Sequence, residues 1–364
     1  MADSDLRHGP LEDMHLELGA RLGPFGGWLM PIGYTGTLSE HRAVRERVGL
    51  FDLSHLGKLD VIGPGAFDTL QGMLTNDLRK VDVGRAQYHH LLNEDGGVLE
   101  DLFVYRLGPE RWFLVPNASN KEVVVSAIAA AGAQVVDHDD WCFLGVQGPR
   151  SHVVVGRLWP DAVELAFRDC RTVELSGAEI VLARTGYTGE RGYELFAPGE
   201  LARELWDALE RSGADAGIEP CGLGARDVLR LEMGYPLYGH DLGPERTPLE
   251  AGLGWAVSFD KGGFPGRKAL LRQRAGGLPS ILRGLATADR RHIPRAHQPV
   301  MSGGSQVGEI TSGSFSPLLG HGIAMAYLSP ADAFEPGTAV EVDIRGRVGR
   351  ARVVTTPFVD RSPR

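Results

Sequence analysis

The sequence predicts an α+β, multidomain protein: two α+β units followed by a small C-terminal all-β unit, barrel-like or a sandwich. Three observations carry this expectation. The chain has 364 residues with 43% hydrophobic content, more than one core normally holds. A succession of strand, helix, strand, strand and helix runs through its first third, and a second unit of similar grammar follows. Beyond Leu282 only short apolar pieces remain, separated by glycine-rich turns, which is the pattern of an all-β unit.

The elements follow in order. Thr37-Leu38-Ser39-Glu40 reads as a capping box, with Thr37 as cap and Glu40 reaching back, opening a helix through Val44 and Val48 that ends near Gly49. Lys58 to Val61 reads as a strand, Gly63-Pro64-Gly65 as a turn, and Ala66 to Leu74 as a short helix with Phe67, Leu70 and Leu74 at helical spacing. Asp95-Gly96 signals a hairpin. Val98 to Pro116 then reads as two antiparallel strands joined through Leu107-Gly108-Pro109-Glu110, and Lys121 to Ala131 as a helix closing the unit. Cys142 to Val146 begins another strand. Gly199 to Gly213 holds an amphipathic helix with Leu201, Leu205 and Leu209 in one stripe, a core-packing pattern.

Composition excludes several function classes. The formal charge is -9 and the pI about 5.8, without the basic face that nonspecific nucleic-acid binding needs. Cys142, Cys170 and Cys221 are odd in number and widely spaced, so they read as reduced, buried residues of a cytoplasmic protein rather than a disulfide framework. No CxxC or HExxH occurs, so no metal site is expected. A basic start followed by an apolar run is missing, as is any 18-residue apolar run, so neither a secretory signal nor a membrane span is expected. G-x-S-x-G is absent too, which leaves a hydrolytic triad unsupported.

Chemistry-bearing residues concentrate in three places. In Gly96-Gly97-Val98-Leu99-Glu100-Asp101-Leu102-Phe103-Val104-Tyr105, period two puts Asp101, Phe103 and Tyr105 on one face and Leu102 and Val104 on the other. Arg184-Thr185-Gly186-Tyr187-Thr188-Gly189-Glu190-Arg191-Gly192-Tyr193-Glu194 adds tyrosines and acids among glycines, which allow backbone close to a ligand. Gly222-Leu223-Gly224-Ala225-Arg226 opens a helix whose arginine suits a carboxylate or an amide-like heterocycle, with Tyr235 just beyond it. Such a set fits a flat, polar, anionic ligand better than a metal. Each also has a plainer reading: a solvated hairpin, turn glycines, and an ion pair of Arg226 with Asp227 or Glu232. His55 and His240 are candidate bases or hydrogen-bonded scaffold.

Several strings together carry a family resemblance. They include Gly26-Gly27-Trp28-Leu29-Met30-Pro31, Glu40-His41-Arg42-Ala43-Val44-Arg45, Gly49-Leu50-Phe51-Asp52-Leu53-Ser54-His55-Leu56-Gly57-Lys58 and Leu74-Thr75-Asn76-Asp77-Leu78. Gly186-Tyr187-Thr188-Gly189, Gly308-Glu309-Ile310-Thr311-Ser312-Gly313-Ser314-Phe315-Ser316-Pro317 and Ile323-Ala324-Met325-Ala326-Tyr327 continue the match. With the strand of Asp101, their order and spacing resemble the aminomethyltransferase, or T-protein, family of the glycine cleavage system over nearly the whole chain.

The resemblance implies three domains around a central folate cavity: residues 1–50 with 138–270, residues 51–137, and residues 282–364. It implies tetrahydrofolate as acceptor and an aminomethyl group carried on the lipoyl arm of the H-protein, with ammonia, methylenetetrahydrofolate and dihydrolipoyl H-protein as products. It places the essential acid at Asp101 and the folate pocket at Tyr105, Asn117, Tyr187, Glu194, Arg226 and Tyr235. Two departures stand out. The family's paired aspartates read Glu100-Asp101, with Glu100 expected to point away and contribute little, and its Val-Val-Asn segment reads Val115-Pro116-Asn117, removing an amide donor.

Two relatives of this family are rival expectations. A folate-dependent demethylase of a small sulfur or amine compound would share the pocket and differ in the carbon donor. The folate-binding proteins that support iron–sulfur assembly carry a cysteine in Lys-Gly-Cys-Tyr-x-Gly, whereas this chain reads Lys261-Gly262-Gly263-Phe264-Pro265-Gly266, which counts against them.

Overall fold

The computed structural model describes residues 6–344 and 347–363. Four sheets organise them. A three-stranded sheet near the start has the order Arg7–His8, Trp28–Gly33, Arg21–Phe25. A five-stranded sheet has the order Arg85–Leu92, Val98–Gly108, Arg111–Val115, Leu59–Ile62, Gln134–Asp137. A six-stranded sheet has the order Cys170–Leu175, Ala178–Ala183, Gly192–Ala197, Cys142–Gln147, Val48–Asp52, Ile218–Pro220. The C-terminal strands, from Ile281–Thr287 to Arg347–Val354, close into a six-stranded barrel, which decides between barrel and sandwich. Closure leaves no open sheet edge.

The helices arise where the apolar period changes to that of a helix. Ala66–Met73, Lys121–Ala130, Ala202–Gly213 and Leu223–Glu232 lie within a few residues of expectation. Leu205 and Leu209 are fully buried against the six-stranded sheet, as the stripe requires. Asp95-Gly96 does lie in a hairpin, though its loop spans five residues, with Gly96 at φ +87° and the Asn93 side chain accepting from the Gly97 amide.

One boundary differs from expectation. The helix after Gly36 runs Thr37–Glu46, and Val48 belongs to the next strand, where it is buried and pairs with Ile218. The partner strands 142–147 and 218–220, distant in sequence, override the local helical pattern. Nor is Thr37 the cap: Gly36 holds that position, and no side chain caps it. Glu40 does reach back, its Oε1 accepting from the amides of Gly36 and Tyr34, while Oε2 takes the amide of Gly222. It ties this helix to the one beginning at Leu223.

Alternation on Val98–Gly108 divides two cores. Leu102 and Val104 pack with Trp112 and Leu114 on one face, while Phe103 and Tyr105 pack with Phe113, Phe143 and Phe196 on the other. The second cluster joins residues of the three-, five- and six-stranded sheets, so one face of the five-stranded sheet looks into the middle of the molecule. Cys142, Cys170 and Cys221 are buried and free. Among the described residues no helix is long and apolar enough to cross a membrane, and no His, Cys, Asp and Glu cluster could hold a metal ion.

Candidate functional site

Asp101 lies on the inward face of Val98–Gly108 with Phe103 and Tyr105. In the adjoining strand Tyr88 stands opposite Phe103 and therefore diagonal to Asp101. Its phenol donates to Oδ2 of Asp101 at 2.7 Å. Nδ2 of Asn117 donates to Oδ1 at 3.0 Å and to the Asp101 carbonyl at 3.2 Å. Burial pushes the Asp101 carboxyl up to about 6, against the hydrogen bonds from Tyr88 and Asn117.

Glu100 is not the idle side chain that alternation alone describes. Alternation does send it to the opposite face, but there it is fully buried. Its Oε1 accepts from the backbone amide of Asn117 at 2.5 Å and from Asn117 Nδ2 at 3.0 Å, and its Oε2 accepts from Asn120 Nδ2. Asn117 sits at the strand's margin, where its side chain reaches both acids. Period two describes directions along a strand and is blind to such a bridge.

The remaining expected residues come from three other elements. Glu194, on Gly192–Ala197, is buried, and its Oε2 accepts from Tyr105 at 3.2 Å and from the Thr185 hydroxyl. Burial raises its carboxyl, opposed by Thr185, Arg226 and Tyr105. Arg226 lies 4.7 Å above the Tyr187 ring and makes no ion pair among the described residues. The alternative ion pair is thus not formed: Asp227 is taken by Arg230, and Glu232 by Arg45 and His41. The Tyr187 hydroxyl donates to the Pro236 carbonyl, and its ring stacks on Tyr235 at 5.7 Å.

Tyr235 owes its place to the end of the helix Leu223–Glu232. Gly234 takes φ +64°, its amide bonds to Leu231 O, and the Tyr235 amide returns to Arg230 O. That is a Schellman ending, which favours glycine at the left-handed position. Gly186 lines both of the hollows that hold Asp101, and it has a packing role as well. A Cβ there would meet Gln147 Oε1 at 2.2 Å, so the missing side chain lets the loop pack against the protein itself.

These groups surround adjoining hollows of about 130, 120 and 430 Å³ that share Tyr187 as a wall. Asp101, Tyr105, Asn117, Tyr187, Glu194 and Arg226 line the first, and Tyr235 the second, which also includes Asp101. His55 lines the first hollow, 3% exposed, its ring edge-on to Phe25; burial holds it neutral, down to about 3. His240 stands at the third, with Arg295.

Sequence reasoning missed Tyr88, Phe25, Arg168 and Trp255. Counting back through the hairpin from Asp101 could have found Tyr88. Trp255 is 57% exposed, stacks on Tyr88 at 5.6 Å, and has the Arg168 guanidinium 5.7 Å from its ring, a grouping with no local signal.

Comparison with known proteins matches this architecture. Residues 11–261 match the GCVT N-terminal domain model, and residues 281–360 the glycine cleavage T-protein C-terminal barrel domain model. An aminomethyltransferase of Mycobacterium avium is 47% identical over 363 residues, 98% of each chain. One from Frankia alni is 47% identical over 370 residues, covering 99% of this chain and 100% of that one. The crystal structure of glycine cleavage system aminomethyltransferase T from Bartonella henselae superposes with a TM-score of 0.92 at 34% identity, covering 98% of this chain and 99% of that one. With two matching domain models, full-length relatives and a common fold, the chain belongs to the aminomethyltransferase, or T-protein, family of the glycine cleavage system and is a transferase.

Proposed function

We propose that the hollows around Tyr187 bind tetrahydrofolate as acceptor, and that the lipoyl arm of the H-protein brings the aminomethyl donor to Asp101. The observation that carries this reading is a half-buried carboxyl with both oxygens held, on a wall shared by two hollows that also present tyrosines and a guanidinium. In the overall reaction the methylene carbon passes from the aminomethyl thioether to folate nitrogen, ammonia leaves, and the dihydrolipoyl thiol is regained. A folate supplies the nitrogens that take up the carbon.

The protein's own groups divide the remaining work. Asp101 orients and polarises the accepting nitrogen and favours the iminium-like carbon that forms as ammonia leaves. Asn117 and Tyr88 hold the acid. Tyr187, stiffened by its hydroxyl bond and by Tyr235, offers a ring face, with Arg226 above it for a carbonyl or carboxylate. Glu194 keeps Oε1 for the donor edge of a heterocycle, Oε2 being occupied by Tyr105 and Thr185.

The five-stranded sheet draws on strands between 59 and 137 alone, which supports a division into 1–50 with 138–270, 51–137 and 282–364, although the strand Val48–Asp52 of the six-stranded sheet runs past the first boundary. Three buried unpaired thiols favour a cytoplasmic setting. Calorimetry should give one tetrahydrofolate per chain without added metal or pyridoxal phosphate, and the loaded H-protein should outperform free aminomethyl-lipoate at equal concentration. No binding of any reduced folate, or no advantage of the H-protein, would overturn the reading.

A further inference from the structure

We propose that Glu100 is a positioning residue for the transfer: its carboxyl group holds Asn117 so that the amide of Asn117 points at Oδ1 of Asp101. The inference rests on the reading of Asp101 as the acid of aminomethyl transfer.

Glu100 is fully buried and has no ion pair among the described residues, a costly state for a carboxylate. Three N–H donors converge on it instead. The backbone amide of Asn117 lies 2.5 Å from Oε1, Asn117 Nδ2 lies 3.0 Å from the same oxygen, and Asn120 Nδ2 donates to Oε2. Asn120 is itself anchored, its Nδ2 also reaching the Leu99 carbonyl at 3.1 Å. The second function of this array lies on the other side of Asn117. An amide nitrogen carries two hydrogens, and here the acceptors are Glu100 Oε1 and Asp101, with Oδ1 at 3.0 Å. Without Glu100, the amide would be free to turn away from Asp101.

The surroundings make the pair electrostatically sensitive. Tyr88 from the adjoining strand, Tyr187 and Tyr238 from the loops, and Asp241 face the two acids. Asp241 is committed to Arg230 at 2.8 Å. His90, opposite Asp101 in the ladder, is held neutral by burial, down to about 3. Arg226 stands on the far side, over Tyr187. No cation therefore screens Glu100 from Asp101 at close range among the described residues. Burial and the neighbouring Asp101 raise the Glu100 carboxyl, and the two acids titrate as a pair.

The test compares wild type with Glu100→Gln, Glu100→Asp, Asn117→Ala and the Glu100→Gln/Asn117→Ala double variant. Turnover with loaded H-protein and tetrahydrofolate is measured across pH, together with folate affinity. Glu100→Gln should lower turnover roughly tenfold, the size of a lost charge-assisted hydrogen bond. It should also move the acid limb of the pH profile to higher pH, because the Asn117 hydrogen bond that holds the Asp101 carboxyl down is loosened. Glu100→Asp shortens the reach to Asn117, so its limb should shift in the same direction. Asn117→Ala alone should lower turnover roughly tenfold or more, and Glu100→Gln should add little on that background.

Wild-type turnover and limb in Glu100→Gln would overturn the role of Glu100 alone. Full additivity in the double variant would overturn the route through Asn117. If Glu100→Gln does not fold, near-wild-type turnover of Asn117→Ala overturns the proposal, since that variant removes the same bridge. A wild-type protein that binds no folate and transfers nothing would overturn the functional reading itself, and this role with it.

Discussion

Tyr88 donates its phenolic hydrogen to Oδ2 of Asp101 at 2.7 Å, from a position diagonal to it across the strand ladder. The same tyrosine ring lies against Trp255 on its outer side. The acid is thus gripped by a side chain that reaches toward solvent, linking its protonation to groups at the edge of the cavity. Burial and hydrogen bonding oppose each other at Asp101, and burial is the larger, so its carboxyl sits at about 6 rather than in the usual carboxylate range.

Asp101→Asn keeps shape and most hydrogen-bonding capacity while removing the charge. Folding and folate binding should persist, and aminomethyl transfer should fall by roughly 10²-fold or more. Turnover and calorimetry on one preparation decide this; full activity in the variant would reject Asp101 as the acid.

The same variant has a stability signature. Because folding raises the Asp101 carboxyl, the native state binds protons more tightly than the unfolded chain between about pH 4 and 6. That contribution is present below the unfolded value and lost as pH rises through about 6. Asp101→Asn should therefore unfold at a higher temperature than wild type near pH 7.5, with the advantage fading toward pH 4. Thermal unfolding at both pH values measures it; an advantage at low pH alone would reverse the sign.

Tyr88→Phe removes one donor from the Asp101 carboxylate and leaves the ring that stacks on Trp255. The hydrogen bond favours the charged form, so its loss should raise the Asp101 carboxyl further and move the acid limb of activity to higher pH. Turnover near neutrality should drop roughly tenfold. An unmoved limb in the pH profile would mean that the phenol does not act on Asp101.

Arg226→Lys keeps a cation near Tyr187 but loses the planar fork. Folate affinity should weaken by roughly tenfold with little change in thermal stability, since Arg226 makes no ion pair among the described residues. Calorimetric titration with tetrahydrofolate checks this, and unchanged affinity would place the ligand elsewhere.

Asp241→Ala should be chiefly a stability variant. Asp241 and Arg230 meet at 2.8 Å, fully buried, and Ser312 of the barrel bonds to both. Removing one partner strands a buried guanidinium, at a cost of about 3–5 kcal/mol. Denaturant unfolding should show the loss, and a change below about 1 kcal/mol would show that Asp227 alone satisfies Arg230.

The sequence by itself determined the α+β class with an all-β C-terminal unit, most helices, and the side-chain directions from Glu100 to Tyr105, because these depend on period and on turn residues close in sequence. Its ordered motifs also carried the family. Tertiary structure alone decided three things. Val48 entered a strand because partners nearly a hundred and more than a hundred and fifty residues away paired with its segment. Arg226 was left over Tyr187 because Asp227 and Glu232 were taken by Arg230, Arg45 and His41. Glu100 was joined to Asp101 because the loop after the next strand placed Asn117 between them. Period and propensity act over a few residues, whereas each of these outcomes depends on which distant group reaches a buried polar atom first, and only the packed chain settles that competition.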